Sequence, residues 1–168
     1  MDYSALYTEA EGLAKGGGSP SDRLKKISDL LKDKVPHYNW FGFYIAKAGQ
    51  KELDLGPFAG EPTEHVKIGF GQGICGQAAE KAEAVVVGDV SKETNYLACS
   101  VKVKSEIVVP VFAPGSFDYD TGKGKGEVTG EIDIDSWTAN AFSDEDNDFL
   151  ESLAILVAAD VEALHKAG

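Results

Sequence analysis

The sequence predicts an α+β domain with a central, mostly antiparallel sheet and helices packed on it. Two helical patterns come first, five segments of β character with one short helix among them follow, and another helical pattern closes the chain. Helices and strands that are grouped rather than regularly alternating are typical of α+β domains. The chain has 168 residues, 43% of them hydrophobic, so we expect residues 1–168 to form one domain with a substantial core.

The chain begins with two predicted helices. Apolar residues recur at helical spacing in residues 4–14, and the glycine-rich residues 15–20 break that pattern. Ser21 or Asp22 can cap a second helix, which ends before Pro36. The apolar face of this second helix consists of Leu24, Ile27, Leu30, Leu31 and Val35.

A β-hairpin follows the helices. Residues 40–45 are aromatic and β-branched, and residues 52–58 begin with alternating polar and apolar side chains. The polar residues 47–51 between them predict a turn, so we expect the two strands to pair.

A glycine-rich segment, a short strand and a long loop come next. Residues 69–76 hold four glycines and open a helix that continues to Ala82, and residues 84–87 predict a short buried strand. Residues 89–104 show no clear period and contain Cys99. We interpret them as a functional loop with one helical turn.

Two longer strands and a helix complete the predicted domain. Residues 106–112 and 127–135 have β character, and the glycine-rich residues 113–126 between them predict an extended hairpin tip. Ser143, followed by two acidic residues, predicts the start of the final helix. The apolar stripe of that helix consists of Phe149, Leu150, Leu153, Leu156 and Val157.

Charge and hydropathy exclude several classes of function. The formal net charge of −12 repels phosphate backbones and acidic membrane surfaces, so we expect no nucleic-acid partner. No segment approaches the roughly 18 consecutive apolar residues of a membrane span. The first residues lack the basic start of a secretory signal, and we therefore expect a cytoplasmic protein.

The two cysteines lie in sequence contexts that are unusual for buried structural cysteines. Cys75 follows several glycines, and Cys99 precedes a predicted strand in a polar loop. Such surroundings favour reactivity, and a helix N-terminus at Cys75 would stabilise a thiolate. In a reducing compartment two cysteines are typical of redox-active or inert thiols rather than a permanent disulfide, which leaves a transient catalytic disulfide open.

Acidic residues form the second functional signal. Because strand residues alternate between faces, Glu131, Asp133 and Asp135 share one side of their strand. Glu106 on the neighbouring strand is a candidate for a partly buried carboxyl, and mutual repulsion would raise the pKa of such groups or attract an ammonium ion. The alternative is an ordinary solvated strand face. A metal ion is the weakest option, and we predict no metal site.

Trp40, Gly42 and Tyr44 fall on one face of the first strand. A tryptophan and a tyrosine on either side of a glycine could form a small cage for a methyl-sulfur group or a cation. Ordinary core packing is the favoured alternative for aromatic residues on a strand.

Six motifs together resemble those of the free methionine-(R)-sulfoxide reductases, which are built on a GAF domain. The motifs occur in the same order as in that family and extend from Asn39 toward the final helix. They are Asn39-Trp-Phe-Gly-Phe-Tyr44, Leu55-Gly-Pro-Phe-Ala-Gly60, Gly71-Gln-Gly-Ile-Cys-Gly76, Leu97-Ala-Cys-Ser100, Ser105-Glu-Ile-Val-Val-Pro110 and Ile132-Asp-Ile-Asp-Ser136. The resemblance implies a GAF fold, a homodimer and free methionine-(R)-sulfoxide as the substrate.

The resemblance also implies roles for individual residues. Cys99 matches the catalytic nucleophile of the family, whose thiolate attacks the sulfoxide sulfur. Glu106 and Asp135 match carboxyls near the sulfoxide, and Asp133 matches a supporting acid that helps to hold the substrate ammonium group. A protonated carboxyl in this group would supply the proton that the departing oxygen needs.

Trp40 and Tyr44 match the aromatic wall around the methyl-sulfur end of the substrate. The family reaction leaves a sulfenic acid on Cys99, which a second thiol converts to a disulfide. Thioredoxin or another dithiol then restores the enzyme, so no bound cofactor is expected.

The sequence departs from the family pattern at the recycling thiol. Many members carry a further cysteine near the position of His65, and here Cys75 is the remaining internal candidate for resolving Cys99. An external thiol is the alternative. Tyr96 and Ser100 also replace residues common in relatives. A GAF sensor or binding module without catalysis is the competing function.

Overall fold

The computed structural model describes residues 1–97, 100–115, 117–121 and 123–168. A six-stranded antiparallel sheet forms its centre, with the strand order β3-β2-β1-β8-β5-β4. The strands are β1 Trp40–Ala46, β2 Glu52–Ala59, β3 Lys67–Gly69, β4 Val85–Val87, β5 Ser105–Phe112, β6 Phe117–Asp118, β7 Lys123–Gly124 and β8 Val128–Ser136. The helices are α1 Tyr3–Ala14, α2 Pro20–Lys34, α3 Gly73–Lys81, α4 Asp144–Leu156 and α5 Ala158–Ala167, with a 3₁₀ turn at Val90–Lys92. The predicted α+β class is confirmed.

The central strands β1, β5 and β8 separate two hydrophobic clusters. On one face, the apolar side chains of these strands pack against α2, α4 and α5, and α1 joins the same cluster through its contacts with α2 and α4. Phe41, Phe43, Ile107, Ile132 and Ile134 lie there and are fully buried. The opposite face packs against α3 and carries the polar residues of the candidate site.

The starts of α2 and α4 are fixed by capping boxes. Ser19 caps α2, so the predicted cap at Ser21 or Asp22 is wrong. Pro20 occupies the first turn, where a missing N–H costs no hydrogen bond, and the Asp22 side chain instead accepts a hydrogen bond from the Ser19 N–H. Ser143 caps α4 as predicted, with Asp146 as the reciprocal partner.

Three short elements differ from the sequence predictions. The three-residue strand β3 was not predicted, and the final helical segment divides at Val157 into α4 and α5. Val86 in the predicted buried strand is 50% exposed. Because β4 lies at the edge of the sheet, it is covered less fully than a central strand.

Asp146 joins the N-terminal half of the chain to α4. Its Oδ1 atom accepts hydrogen bonds from the hydroxyl groups of Tyr3 and Tyr38, the latter at 2.8 Å, and from His37 Nε2 at 2.9 Å. Its Oδ2 atom accepts from the Ser143 backbone N–H at 2.8 Å and from the Ser143 hydroxyl at 3.0 Å. These contacts tie α1 and the segment before β1 to α4 at one buried carboxylate.

None of the helices in the described part of the chain combines the length and the hydropathy of a membrane span.

Candidate active site

Four carboxyl groups lie side by side on the sheet face that α3 covers. In the strand register Glu106 of β5 is opposite Asp135 of β8, and Asp133 and Glu131 follow at alternate positions along β8. All four side chains are between 0 and 4% exposed. The alternative of an ordinary solvated strand face is therefore wrong, because α3 and its loop exclude water from this face.

The glycine-rich loop permits the close approach of α3 to the sheet. A Cβ atom at Gly76 would lie 2.5 Å from the carbonyl oxygen of Gly69, and Gly73 has a φ of +61°. Asn95 holds the loop from the other side, since its side chain accepts from the Gly73 N–H and donates to the Gly71 carbonyl. The Asn95 role was not predicted, because the aperiodic loop around it carries no pattern.

Cys75 occupies the first turn of α3 and lies against the carboxyl cluster. Its Sγ atom is 3.9 Å from Glu106 Oε1, and the residue is 4% exposed. Burial raises the pKa of the Cys75 thiol well above its usual value, and the charges of Asp133, Glu131 and Glu106 raise it further. The predicted thiolate at Cys75 is therefore wrong: a helix N-terminus contributes only about 0.3–1 kcal/mol, which burial and like charge outweigh.

Glu106, Glu131 and Asp133 have raised pKa values. Burial raises the pKa of Glu106 well above its usual range, and Asp133 and Asp135 raise it further. Burial likewise raises the pKa of Glu131 well above its usual range, and the charge of Asp133 raises it further. Burial also raises the pKa of Asp133, although hydrogen bonding with Glu106 and Cys75 opposes that rise. Burial and mutual repulsion thus both favour the protonated form of these carboxyl groups relative to an exposed carboxyl.

The two aromatic residues of β1 are buried and hold a neighbouring loop. The Trp40 ring stacks on Phe58, and its Nε1–H donates to the carbonyl of Glu61 at 2.9 Å. The Tyr44 hydroxyl donates to the carbonyl of His65 at 2.9 Å, and the Trp40 and Tyr44 ring centroids are 6.5 Å apart. Both side chains thus pack in the second hydrophobic cluster, and the role of a substrate wall stays a prediction.

A closed cavity of about 10 Å³ lies at the centre of this face. It brings together four residues predicted for the site: Tyr44, Cys75, Glu106 and Asp133. Its other lining residues, which were not predicted for the site, are His65, Ile68, Gln72, Gly73, Ile74 and Leu97. A cavity of this size holds about one water molecule, so binding of an amino acid requires its walls to separate.

The remaining predicted site residues stand apart from this lining. Trp40 and Asp135 are on the same face and are paired with each other across β1 and β8, but they are not among the described residues that line the cavity. The predicted nucleophile Cys99 lies outside the described residues, two positions beyond the cavity residue Leu97.

A larger groove of about 740 Å³ lies elsewhere, between α4 and the β4–β5 edge. Its described lining residues include Val86, Pro110 and Ile155, and no cysteine or histidine is among them. The groove therefore lacks both a thiol and the buried carboxyl cluster found at the smaller cavity, which remains the candidate site.

Comparisons with known sequences identify the family to which the chain belongs. The GAF domain family matches residues 1–161. The chain is 37% identical over 157 residues to the free methionine-R-sulfoxide reductase of Saccharomyces cerevisiae, covering 90% of this chain and 81% of the relative. The Escherichia coli protein of the same name is 32% identical over 151 residues, covering 90% of this chain and 83% of the relative.

Solved structures show the same similarity. The free methionine-R-sulfoxide reductase of Neisseria meningitidis, solved in complex with its substrate, superposes with a TM-score of 0.83 at 32% identity, covering 99% of this chain and 92% of that one. The type II enzyme of Thermoplasma acidophilum gives a TM-score of 0.75 at 38% identity, covering 92% and 96%.

Proposed function

Because this chain belongs to the free methionine-R-sulfoxide reductase family of GAF domains, we propose that it reduces free methionine-(R)-sulfoxide to methionine with Cys99 as the nucleophile. Membership of this family makes the chain an oxidoreductase. The observation that carries the proposed chemistry is the buried cluster of Glu106, Asp133 and their neighbours, in which burial raises the carboxyl pKa values and so favours proton donors.

The first step transfers the sulfoxide oxygen to Cys99. The Cys99 thiolate attacks the sulfoxide sulfur and forms a sulfur–sulfur bond, while a carboxyl group supplies one proton to the oxygen. Transfer of the resulting hydroxyl group to the Cys99 sulfur then forms the new sulfur–oxygen bond and breaks both the sulfur–sulfur bond and the sulfur–oxygen bond of the substrate. The sulfoxide sulfur gains two electrons and leaves as the thioether of methionine, while Cys99 becomes a sulfenic acid. Glu106 is the proposed proton donor because it is buried and its pKa is raised.

The other carboxyls and the aromatic residues are proposed to orient the substrate. Asp135, paired with Glu106 across the strands, would share the proton near the sulfoxide. Asp133, two residues before Asp135 on the same face of β8, would hold the substrate ammonium group. Trp40 and Tyr44 on the adjacent strand would then contact the methyl-sulfur end of the same molecule.

The second half of the proposed cycle restores the thiol. A thiol condenses with the Cys99 sulfenic acid, water leaves, and the resulting disulfide is reduced by thioredoxin or another dithiol. Cys75 is the internal candidate for this condensation. Its raised pKa slows attack as a thiolate, so direct condensation with an external thiol stays an alternative. The homodimer and the cytoplasmic location remain predictions.

Turnover of free methionine-(R)-sulfoxide with dithiothreitol tests the function. Methionine formation is measured for the wild type and for Cys99→Ser, with the S epimer and a peptide-bound sulfoxide as control substrates. We expect methionine from the free R epimer alone and loss of turnover in Cys99→Ser. Unchanged turnover in this variant would overturn the assigned nucleophile, and substrate binding without any turnover would support the competing function of a binding module.

Recycling is tested by a second comparison. Cys75→Ser is assayed with dithiothreitol and with thioredoxin, each against the wild type. If Cys75 resolves Cys99, the variant loses activity with thioredoxin and keeps it with dithiothreitol, which can reduce the sulfenic acid directly. Equal activity with thioredoxin would exclude Cys75 as an obligatory resolving thiol.

A further inference from the structure

We propose that the buried pocket between α3 and the sheet is a binding site for one thiophilic divalent cation, Zn²⁺, with Cys75, Glu106 and Asp133 as its ligands. The sequence predicts no metal site, because the acidic residues of one strand come without a matched ligand set. Folding brings them together, and the site lies beyond the proposed reductase chemistry, which requires no metal.

The geometry of the three ligand atoms fits a single ion. The Cys75 sulfur and one carboxylate oxygen from each of Glu106 and Asp133 all lie within 4.8 Å of one another. Zinc bonds of about 2.0–2.3 Å place a sulfur and an oxygen ligand roughly 3.6 Å apart in tetrahedral geometry. The Cys75 Sγ to Glu106 Oε1 distance of 3.9 Å is already close to that separation. Small side-chain rotations therefore complete three of the four positions.

A separate observation that points to a cation is that the pocket holds buried carboxylate oxygens without a hydrogen bond of ordinary geometry or an ion-pair partner among the described residues. Both carboxylate oxygens of Asp133 are buried, and the contacts of Asp133 with Glu106 and Cys75, the groups that influence its pKa, lie outside ordinary hydrogen-bond geometry. Both oxygens of Glu131 beside it are buried as well, and its contact with Cys75 likewise lies outside that geometry. Within the described ranges, no lysine, arginine or histidine forms an ion pair with Glu106, Glu131 or Asp133. Buried carboxylates in this state are stabilised by a proton or by a bound cation.

The size of the pocket also favours an ion. The cavity that Cys75, Glu106 and Asp133 line has a volume of about 10 Å³, which suits one water-sized particle. In this closed form the pocket accommodates a cation without rearrangement of the backbone, whereas an amino acid needs it to open. A solvent molecule or His65, which lines the same cavity, would take the fourth ligand position.

The ligand set selects the class of metal. One thiolate with two carboxylates suits Zn²⁺ and other borderline ions, whereas Mg²⁺ and Ca²⁺ prefer oxygen ligands alone. Since Glu106 and Asp133 also serve the proposed reductase site, Zn²⁺ and methionine-(R)-sulfoxide should exclude each other. Only this competition rests on the proposed function; metal binding does not.

The binding test uses Co²⁺ as a spectroscopic substitute for Zn²⁺ on the full chain, with a phosphine reductant in place of thiols. We expect one equivalent of Co²⁺ to produce a thiolate-to-cobalt charge-transfer band that Zn²⁺ bleaches and Mg²⁺ does not. Cys99→Ser should keep the band, Cys75→Ser should abolish it, and Asp133→Asn should weaken Co²⁺ binding at least 10-fold. Absence of the band in the wild type, or its loss in Cys99→Ser with retention in Cys75→Ser, would overturn the site.

A second measurement avoids any change at Cys75. In Cys99→Ser, Cys75 is the remaining cysteine, and its alkylation by iodoacetamide is followed by mass spectrometry in mild urea. Zn²⁺ at saturation should slow alkylation at least 10-fold relative to Mg²⁺, and equal rates would refute ligation by Cys75. Competitive inhibition of wild-type turnover by Zn²⁺ would then support the shared pocket, while zinc binding without inhibition would refute the sharing alone.

Discussion

Replacement of Asp146 by asparagine should destabilise the fold strongly, although the residue lies outside the candidate site. Burial alone would raise the pKa of this carboxyl, but hydrogen bonds from His37, Tyr3, Ser143 and Tyr38 lower it well below its usual range. The native structure therefore depends on the charged form. Asparagine keeps the shape of the side chain and removes both the charge and one acceptor.

The magnitude follows from the five hydrogen bonds that Asp146 accepts. If the asparagine oxygen takes the Oδ1 position, three bonds survive as neutral ones, and each loses about 1 kcal/mol of charge assistance. The amide nitrogen then faces the Ser143 N–H and hydroxyl, which breaks the capping box at a cost of about 0.5–2 kcal/mol. We expect a total loss of about 3–5 kcal/mol in the free energy of unfolding.

This loss is measured by urea unfolding at pH 7, monitored by circular dichroism. The matched control is Asp144→Asn, which changes an exposed residue of the same helix. The control should remain close to wild type. Because the folded pKa of Asp146 is depressed, its contribution is complete above the unfolded pKa of about 3.9 and is lost as the pH falls toward the folded value. The wild type should therefore approach Asp146→Asn in stability below pH 4. A difference under about 1 kcal/mol at pH 7 would refute the reasoning.

Three further predictions concern the site face of the sheet. Glu106→Gln should lower turnover of free methionine-(R)-sulfoxide about 10²- to 10⁴-fold by removing the proton donor, and a loss below 10-fold would contradict that role. Gly42→Ala should lower the free energy of unfolding by about 1–3 kcal/mol and shift tryptophan fluorescence, because the new Cβ would lie 2.4 Å from the Trp40 ring. The control Gly12→Ala meets no atom within 4 Å and should not destabilise the fold. Glu131→Gln should stabilise the protein more at pH 8 than at pH 5, by up to about 1.4 kcal/mol per pH unit. Burial and a neighbouring carboxylate raise the folded pKa of Glu131, so the stability of the wild type falls as the pH rises above the unfolded pKa. A difference in the free energy of urea unfolding that does not change with pH would contradict this prediction.

Local rules in the sequence predicted much of the fold and the faces of its strands. Strand alternation placed Glu131, Asp133 and Asp135 on one side, and the register confirms this arrangement. The same rule placed Trp40 and Tyr44 on one face of β1, where they are paired with Asp135 and Glu131. These predictions needed only the two-residue period of a strand, which short-range sterics fix.

Features that depend on long-range packing could not be predicted. The burial of the carboxyl face and the raised pKa of Cys75 both result from the position of α3, which no local pattern specifies. The short contact between Cys75 and Glu106 joins residues 31 positions apart in sequence. The division of the last helical segment at Val157 was missed because its apolar spacing continues through the break.

The alternation of faces has a consequence for protein engineering. Trp40 and Tyr44 of β1, Glu106 of β5, and Asp133 and Asp135 of β8 lie on the site face of the sheet, while their immediate apolar neighbours within the strands belong to the helical core. A combinatorial library restricted to these site-face positions can therefore alter the pocket while the helical core stays constant. Conversely, insertion of one residue just before Ile132 in β8 would turn Ile132 and Ile134 toward the site face and Asp133 and Asp135 toward the helical core, and the site and the fold would fail together.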